Sequence, residues 1–361
     1  MNKFKIIAYY LPQFHTFPEN DEWWGKGFTE WTNVKNAKPL FPGHEQPKIP
    51  ADLGYYDLTD PNVREQQVKL AKEAGIYGFC YWHYWFGNGH QLLNEIIDDV
   101  ISRGKPDFPF CFGWANESWK AKCWNNDGRG DRVLMEQVYG GIPDYEKHFK
   151  YALRAFKDKR YIKIGNKPLF VIYKPMLLPD DFTKVWNKLA VNAGFDGIYF
   201  VGRLNNREEK NSVLEKGINC CTCERYIHAY RKSSLFMKIL LKILNIIMGV
   251  TALVPYRYCM KFFTDKKEDL EENFAPSLIP NWDHSPRSKR AATILYKSTP
   301  ALFKKHAIKV LDLVKQKKNK LVFLKSWNEW GEGNYMEPDQ KFGKGYIHAL
   351  RDAINSVDNK N

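Results

Sequence analysis

The chain has 361 residues, with 55 Lys plus Arg against 41 Asp plus Glu, and a formal net charge of +14. Hydrophobic residues make up 44% and aromatics 15%, which excludes a disordered chain, and seven cysteines at irregular spacings exclude a disulfide-built scaffold. The basic excess raises nucleic acid as a partner, but no helix-turn-helix, zinc-finger or RNP-like signature accompanies it, so none is expected.

The first ten residues, MNKFKIIAYY, hold an apolar run too short for a secretory segment and without a small-residue cleavage site. They read as the first strand of a cytoplasmic protein. Further short apolar runs follow, so that strands are predicted at 5–11, 76–82, 108–114, 168–173, 197–202, 219–226, 274–279 and 320–327. Helical patterns lie between several of them, at 63–74, 92–101, 145–156, 182–193 and 301–317. The first is bracketed by Asp60-Pro61 and Gly75. Near-continuously apolar strands alternating with helices indicate a parallel α/β fold, and eight such units indicate a (β/α)8 TIM-type barrel. A doubly wound sheet is the competing architecture, but its Gly-rich phosphate-binding fingerprints are missing. The chain reads as one catalytic domain over 1–355, with a frayed tail at 356–361. Long insertions are expected after strands 1 and 6, at 16–57 and 227–273.

The second insertion concentrates the charge. Arg225, Arg231, Lys232, Lys238, Lys242, Arg257, Lys261, Lys266 and Lys267 lie within 43 residues, with Asp265 as the only acid among them. Within it, 235–256 is strongly apolar, and Lys238, Lys242, Asn245 and Gly249 share one helical stripe. Two lysines argue against a spanning helix. A cationic amphipathic helix on an anionic membrane surface fits the pattern, as does a lid helix packed on the enzyme body or at a dimer interface. Cys220, Cys221 and Cys223 read as buried strand cysteines, since no second Cys or His set at zinc spacing accompanies them.

Barrel enzymes carry their functional side chains at the C-terminal ends of strands. There the sequence places Tyr9, Tyr10 and Gln13; Tyr81, His83 and Trp85; Trp114, Asn116 and Glu117; and Trp327, Asn328, Trp330 and Glu337. Glu30 and Trp31 in the first insertion join them as sugar contacts or loop anchors, while Asp127, Arg129 and Asp131 read as a polar loop. Of the 12 tryptophans, all but Trp186 are predicted in strand ends or loops. Flat rings stack on the apolar faces of pyranoses, and Asn, Glu and His bond their hydroxyls. Glu329 and Glu332 stand three residues apart in a Gly-rich turn between tryptophans. Close carboxylates cannot both ionise easily, so one tends to keep its proton, giving the acid and base of glycosidic cleavage. The other reading of such a turn is two solvated glutamates. No Asp-x-Asp occurs to clamp a metal-bound sugar nucleotide, and no metal or cofactor is expected.

The segments AYYLPQFH (8–15), ENDEWWGKGFTEWTNV (19–34), GFCYWHYWF (78–86), FPFCFGWANESW (108–119), RYIKIGNKPLFVIY (160–173) and SWNEWGEGNYMEP (326–338) together resemble the WbsX-type glycosyltransferase family of O-antigen and capsule clusters. The barrel of that family is similar to glycoside hydrolase family 99, the endo-α-mannosidases. The resemblance implies a retaining, metal-free reaction. One glutamate deprotonates the substrate 2-hydroxyl, which attacks the anomeric carbon to give a 1,2-anhydro sugar; a second glutamate, three residues on, protonates the leaving oxygen. It implies Glu329 as base and Glu332 as general acid, with Asn328 and Trp330 in the same motif. Gly331 stands where the hydrolases often carry His.

The expected function is thus a carbohydrate-active enzyme of bacterial surface polysaccharide biosynthesis, cleaving or transferring glycosyl groups. Its expected partner is an oligosaccharide or a lipid-linked glycan, with peripheral contact at the inner membrane face through 235–256. A metal-independent nucleotide-sugar glycosyltransferase is the alternative enzyme, and a non-catalytic glycan-binding protein the alternative outside enzymes.

Overall fold

The computed structural model describes residues 4–121 and 132–359. Eight strands occupy the eight predicted runs: β1 (Lys5–Tyr10), β2 (Gly78–Gly87), β3 (Phe110–Trp114), β4 (Lys167–Ile172), β5 (Tyr199–Arg203), β6 (Cys220–Thr222), β7 (Ser277–Leu278) and β8 (Leu321–Leu324). The helices that matter below are α1 (Pro18–Trp24), α2 (Glu30–Asn36), α3 (Pro61–Ala74), α4 (Glu95–Arg103), α5 (Ile142–Phe156), α6 (Phe182–Asn192), α7 (Leu235–Met248), α8 (Pro300–Val314) and α9 (Gly345–Asp358). The chain divides into two compact units. The first holds 1–77, 224–271 and 276–361, and the second 78–223 and 272–275.

In the first unit, β8 lies between β1 and β7, parallel to both, with Ala8 opposite Leu324. Ile6, Ile7, Ala8, Val322, Phe323 and Leu324 are fully buried, as expected of parallel strands covered on both faces. α3 begins where the Asp60 carboxylate accepts the Asn62 N–H and Pro61 presets the first turn. It ends at Gly75, with φ +84°. α9 runs to Asp358, so the first three residues of the frayed tail expected at 356–361 are helical. Its buried Ile347, Leu350, Ala353, Ile354 and Val357 recur at helical spacing and hold the last turns down.

In the second unit, β2, β3, β4, β5 and β6 pair in that order, all parallel. All ten residues of β2 are buried. Cys220, Cys221 and Cys223 are buried free thiols, as the sequence indicates. Asp127, Arg129 and Asp131 lie outside the described residues.

The insertions differ from expectation in detail. The first carries helices α1 and α2, so Trp23, Trp24 and Trp31 are helical rather than in loops. Pro18 at the start of α1, and a Thr29 and Thr32 capping pair at the start of α2, explain why. In the second insertion, α7 is apolar nearly all round. Leu241 is buried with Val254, Tyr256 and Leu295, and Leu244 and Met248 pack against Phe41, Val250, Leu253 and Ile294. On the outer side Leu235, Phe236, Ile239, Ile243, Ile246 and Ile247 are 47–75% exposed. Of the predicted stripe, Lys242 and Gly249 are exposed and Lys238 is half-buried, so the stripe borders the outward apolar face. Asn245 is turned to the body, donating to Thr251 O and accepting the Leu253 N–H. Among the described residues no helix is long and apolar enough to cross a membrane.

Candidate active site

The site grows from the end of β8 and lies wholly within the first unit. The Ser326 hydroxyl accepts from the backbone N–H groups of Asn328 and Glu329 at 3.2 and 3.0 Å, turning the chain sharply. Trp327 N–H donates to Tyr9 O at 2.7 Å. The Asn328 amide clamps Leu11, accepting its N–H at 2.8 Å and donating to its O at 3.0 Å. Residues Asn328–Glu329 then pair antiparallel with Asn334–Tyr335. The tip, Trp330–Glu332, is one 3-10 turn closed by Gly333 at φ +52°.

Both glutamates at this tip face one cation. Arg287 Nη1 stands 2.7 Å from Glu332 and 3.6 Å from Glu329, and its Nη2 reaches Glu30 at 3.0 Å. His284 Nε2 lies 3.5 Å from Glu332. Lys325, one step before the turn, is buried; burial opposes its charge, but Glu224, Glu329 and Glu332 hold it protonated.

These neighbours separate the two carboxyls. Burial, and then the charge of Glu332, push Glu329 up to about 7 against the pull of Lys325 and Arg287. Burial pushes Glu332 the same way, but Arg287 and the His284 hydrogen bond outweigh it and hold its carboxyl well below the usual carboxylate range. The pair therefore carries one exchangeable proton near neutral pH, seated in the free site on Glu329.

Gly331 makes room for this arrangement. A Cβ there would stand 2.4 Å from Glu30 Oε2 and 2.9 Å from Arg287 Nε. The space that a side chain at 331 would take is filled by the Glu30–Arg287 pair. Gly331→Ala should therefore dislodge Glu30 from Arg287 while leaving the fold intact, because the atoms that must shift end flexible side chains. We expect turnover to fall by roughly tenfold, with far-ultraviolet circular dichroism unchanged.

Behind the turn stands a buried wall. Glu337 accepts from Trp330 Nε1 at 2.6 Å, Gln67 Nε2 at 2.7 Å and Tyr56 Oη at 2.9 Å. Tyr10 Oη donates to Gln67 at 2.7 Å, and Trp31 Nε1 to Tyr56 O at 2.7 Å. Trp330 stacks on Tyr335 with centroids 3.8 Å apart. Burial still pushes Glu337 up to about 7, although these donors oppose it. Tyr9, Trp327 and Trp330 have no exposed surface to speak of. In this state they support the turn rather than present a ring face, and Tyr10, Trp31, Asn328 and Glu337 do the same by their hydrogen bonds. Gln13, half-buried just past β1, is not part of that network as described.

The candidates of the second unit are engaged inside it. His83 Nε2 meets His148 Nε2 at 2.8 Å, and its ring stacks on Phe112 and Tyr151. Burial lowers His83 to about 3, and burial together with His83 keeps His148 neutral too. Trp85 stacks on His148 and donates to Asp144, Trp114 donates to Trp85 O, and Tyr81 packs edge-on against Phe79 and Phe110. Asn116 braces a loop through Lys174 N, Lys174 O and Tyr139 Oη. These side chains form core and struts. Glu117, with a side chain 43% exposed, sits 3.6 Å from Lys174.

Sequence reasoning missed Arg287, His284 and Lys325, and weighed Glu30 only as a sugar contact or loop anchor. The available signal was electrostatic: two adjacent buried carboxylates require a cation, and Asp283-His284-Ser285-Pro286-Arg287 follows the seventh strand. Among the described residues no cluster of three or more His, Cys, Asp or Glu forms a metal-ligand set.

Comparison with known proteins places this geometry in context. Residues 6–350 match the family described as Glycosyltransferase WbsX. The WxcX protein of Xanthomonas campestris pv. campestris strain B100 is 31% identical over 368 residues, covering 97% of this chain and 49% of its own. Its counterpart in strain ATCC 33913 is likewise 31% identical. The chain thus spans about half the length of the curated relatives it matches. Among solved structures, a GH99 endo-alpha-mannosidase from Bacteroides thetaiotaomicron superposes with a TM-score of 0.57 at 15% identity, covering 98% of this chain and 97% of that one. A glycoside hydrolase-like protein superposes equally well, covering 98% and 94%. At that identity the likeness shows the fold, a (β/α)8 barrel.

Proposed function

Because the chain belongs to the WbsX glycosyltransferase family, we propose that it is a carbohydrate-active enzyme whose Glu329 and Glu332 work as a base and acid pair in a retaining reaction. The observation that carries this reading is the pair itself: two carboxyls at a strand end, facing one guanidinium, with proton affinities set far apart. Glu329 takes the proton of the substrate 2-hydroxyl, whose oxygen closes on the anomeric carbon. The bond to the leaving oxygen breaks, and Glu332 supplies that oxygen's proton. Water or a hydroxyl acceptor then opens the 1,2-anhydro ring with the proton movements reversed, so the same site serves hydrolysis or transfer. A base whose proton leaves near 7 is matched to neutral pH. In the free site, however, Arg287 keeps Glu332 ionised, so the donor role requires substrate to loosen that ion pair.

This favours a second allocation of the same pair, with Glu329 donating and Glu332 as base. Both allocations need a single proton on the pair, so in either one kcat/KM should fall as pH rises above about 7, where Glu329 loses its proton. The dependence of each single variant on the leaving group separates the two.

The substrate in this reading is an oligosaccharide of a bacterial surface polysaccharide, carried on a lipid at the inner membrane face. The family's description as a glycosyltransferase favours one further reading, a metal-independent enzyme that takes a nucleotide sugar. Mass-spectrometric turnover of α-linked oligosaccharides, and separately of nucleotide sugars with glycan acceptors, tests both. Cleavage or transglycosylation without nucleotide supports the two-glutamate reading, and nucleotide release coupled to product growth replaces it.

A further inference from the structure

A cavity in the first unit lies beside α7, away from the carboxylates. It encloses about 900 Å³ and is walled by apolar side chains, among them Ile246, Val250, Ala252, Val254 and Leu295. Two cations, Lys242 and Arg290, stand on its lining, and both are exposed. Lys242 and Ile246 also belong to α7, so the cavity meets the outer side of the helix, where the exposed apolar residues lie. The helix is held firmly against the body. The Ser234 hydroxyl caps its start, Gly249 closes it at φ +62°, and Arg290 donates to Gly249 O at 2.8 Å. Its outward apolar face is therefore a fixed surface rather than a frayed one. α7 contains no Asp or Glu, and Arg231, Lys232, Arg257, Lys289 and Arg290 near it in sequence or space are exposed. A second copy docking through this face by a two-fold axis would bring like charges together. An anionic lipid surface meets both the apolar side chains and the cations.

A chain of stacked side chains joins the cavity lining to the carboxylates. Tyr226 on its lining stacks on Trp282 with centroids 4.5 Å apart, Trp282 stacks on His284 at 5.9 Å, and His284 reaches Glu332. A ligand seated in the cavity would thus have a wall of aromatic rings between it and the acid pair.

We propose that this cavity binds the phosphate and first hydrocarbon units of a long-chain lipid phosphate, taken from an anionic membrane on which α7 rests. Lys242 and Arg290 meet the phosphate, and the apolar wall meets the chain. The glycan attached to that phosphate extends along Tyr226 and Trp282 toward Glu332. The inference deepens the proposed function by naming the carrier of its substrate, and it rests on the reading that the glycan is lipid-linked.

Calorimetric titration of the full chain with farnesyl phosphate, farnesol and inorganic phosphate tests the site without any turnover. Farnesyl phosphate should bind, farnesol at least tenfold more weakly, and inorganic phosphate not measurably. Lys242→Glu and Ala291→Trp, which reverses a charge and fills the cavity from an exposed position, should each weaken farnesyl phosphate at least tenfold. Ile243→Asp with Ile247→Asp, which do not line the cavity, should abolish flotation with phosphatidylglycerol vesicles and leave farnesyl phosphate binding unchanged. Equal binding by wild type and the two cavity variants, inorganic phosphate binding as tightly as the lipid, or no flotation with anionic vesicles would overturn the proposal. So would a dimer in light scattering that the Ile243 and Ile247 substitutions dissolve. A Glu332→Gln protein that is inactive yet binds the probe, or an active wild type that does not, tells failure of this site from failure of the catalytic reading.

Discussion

Glu332→Gln should lower turnover of a natural glycan by roughly 10²–10⁴-fold, the range for loss of a positioned proton donor. The same variant should lose far less on an aryl glycoside whose leaving group departs without a proton. Glu329→Gln should be impaired on both, because the 2-hydroxyl must be deprotonated whatever leaves. Steady-state kinetics of both variants on both substrates completes the comparison. If the aryl glycoside rescues Glu329→Gln instead, the roles are reversed, and the Arg287–Glu332 contact at 2.7 Å is then the resting form of the base. If neither variant loses activity, the pair is not catalytic.

Arg287→Ala should cost the fold about 3–5 kcal/mol at neutral pH, the usual scale for stripping one partner from a buried ion pair. The guanidinium faces Glu30, Glu329 and Glu332 together, and its removal leaves three acids around one gap. The pH dependence carries the sign. Glu332 has its carboxyl lowered in the folded state, so its stabilising contribution is complete above the ordinary value of 4.5 and is lost as pH falls below it. Without Arg287 that contribution is gone, so the gap between variant and wild type should narrow as pH falls below 4.5. Urea unfolding at neutral and acid pH measures it. A gap that stays constant with pH would mean that Arg287 stabilises through packing alone. Arg287→Lys should recover part of the stability but little activity, since one ammonium cannot serve three carboxylates with a planar fork.

The strands were legible because each is a short, nearly uninterrupted apolar run, and a parallel strand covered on both faces needs that pattern. The site was legible where chemistry is compressed into one stretch, 326–338. It was illegible where partners are distant in sequence. Arg287 reaches Glu30 across 257 positions, and no local pattern announces it. His83 and Trp85 misled for a related reason. Polar and aromatic residues at a strand end fit a sugar cleft, but they fit equally well a stack in which two neutral imidazoles satisfy each other. The outward side of α7 was hidden because its sequence is apolar on nearly every side, and spacing alone could not say which side the body would cover.

The Asn328 amide accepts from and donates to the same residue, Leu11. A primary amide used in this way imitates a peptide group, so the side chain acts as one more rung of the β1–β8 ladder. The carboxylate next to it is thereby tied to the sheet rather than to a loop. The insertion at 16–57 shares in holding that position, through Glu30 on Arg287 and through Trp31 and Tyr56 in the wall behind the turn. An engineer altering specificity has reason to begin in 227–273 and to leave Asn328, Glu30 and Tyr56 alone.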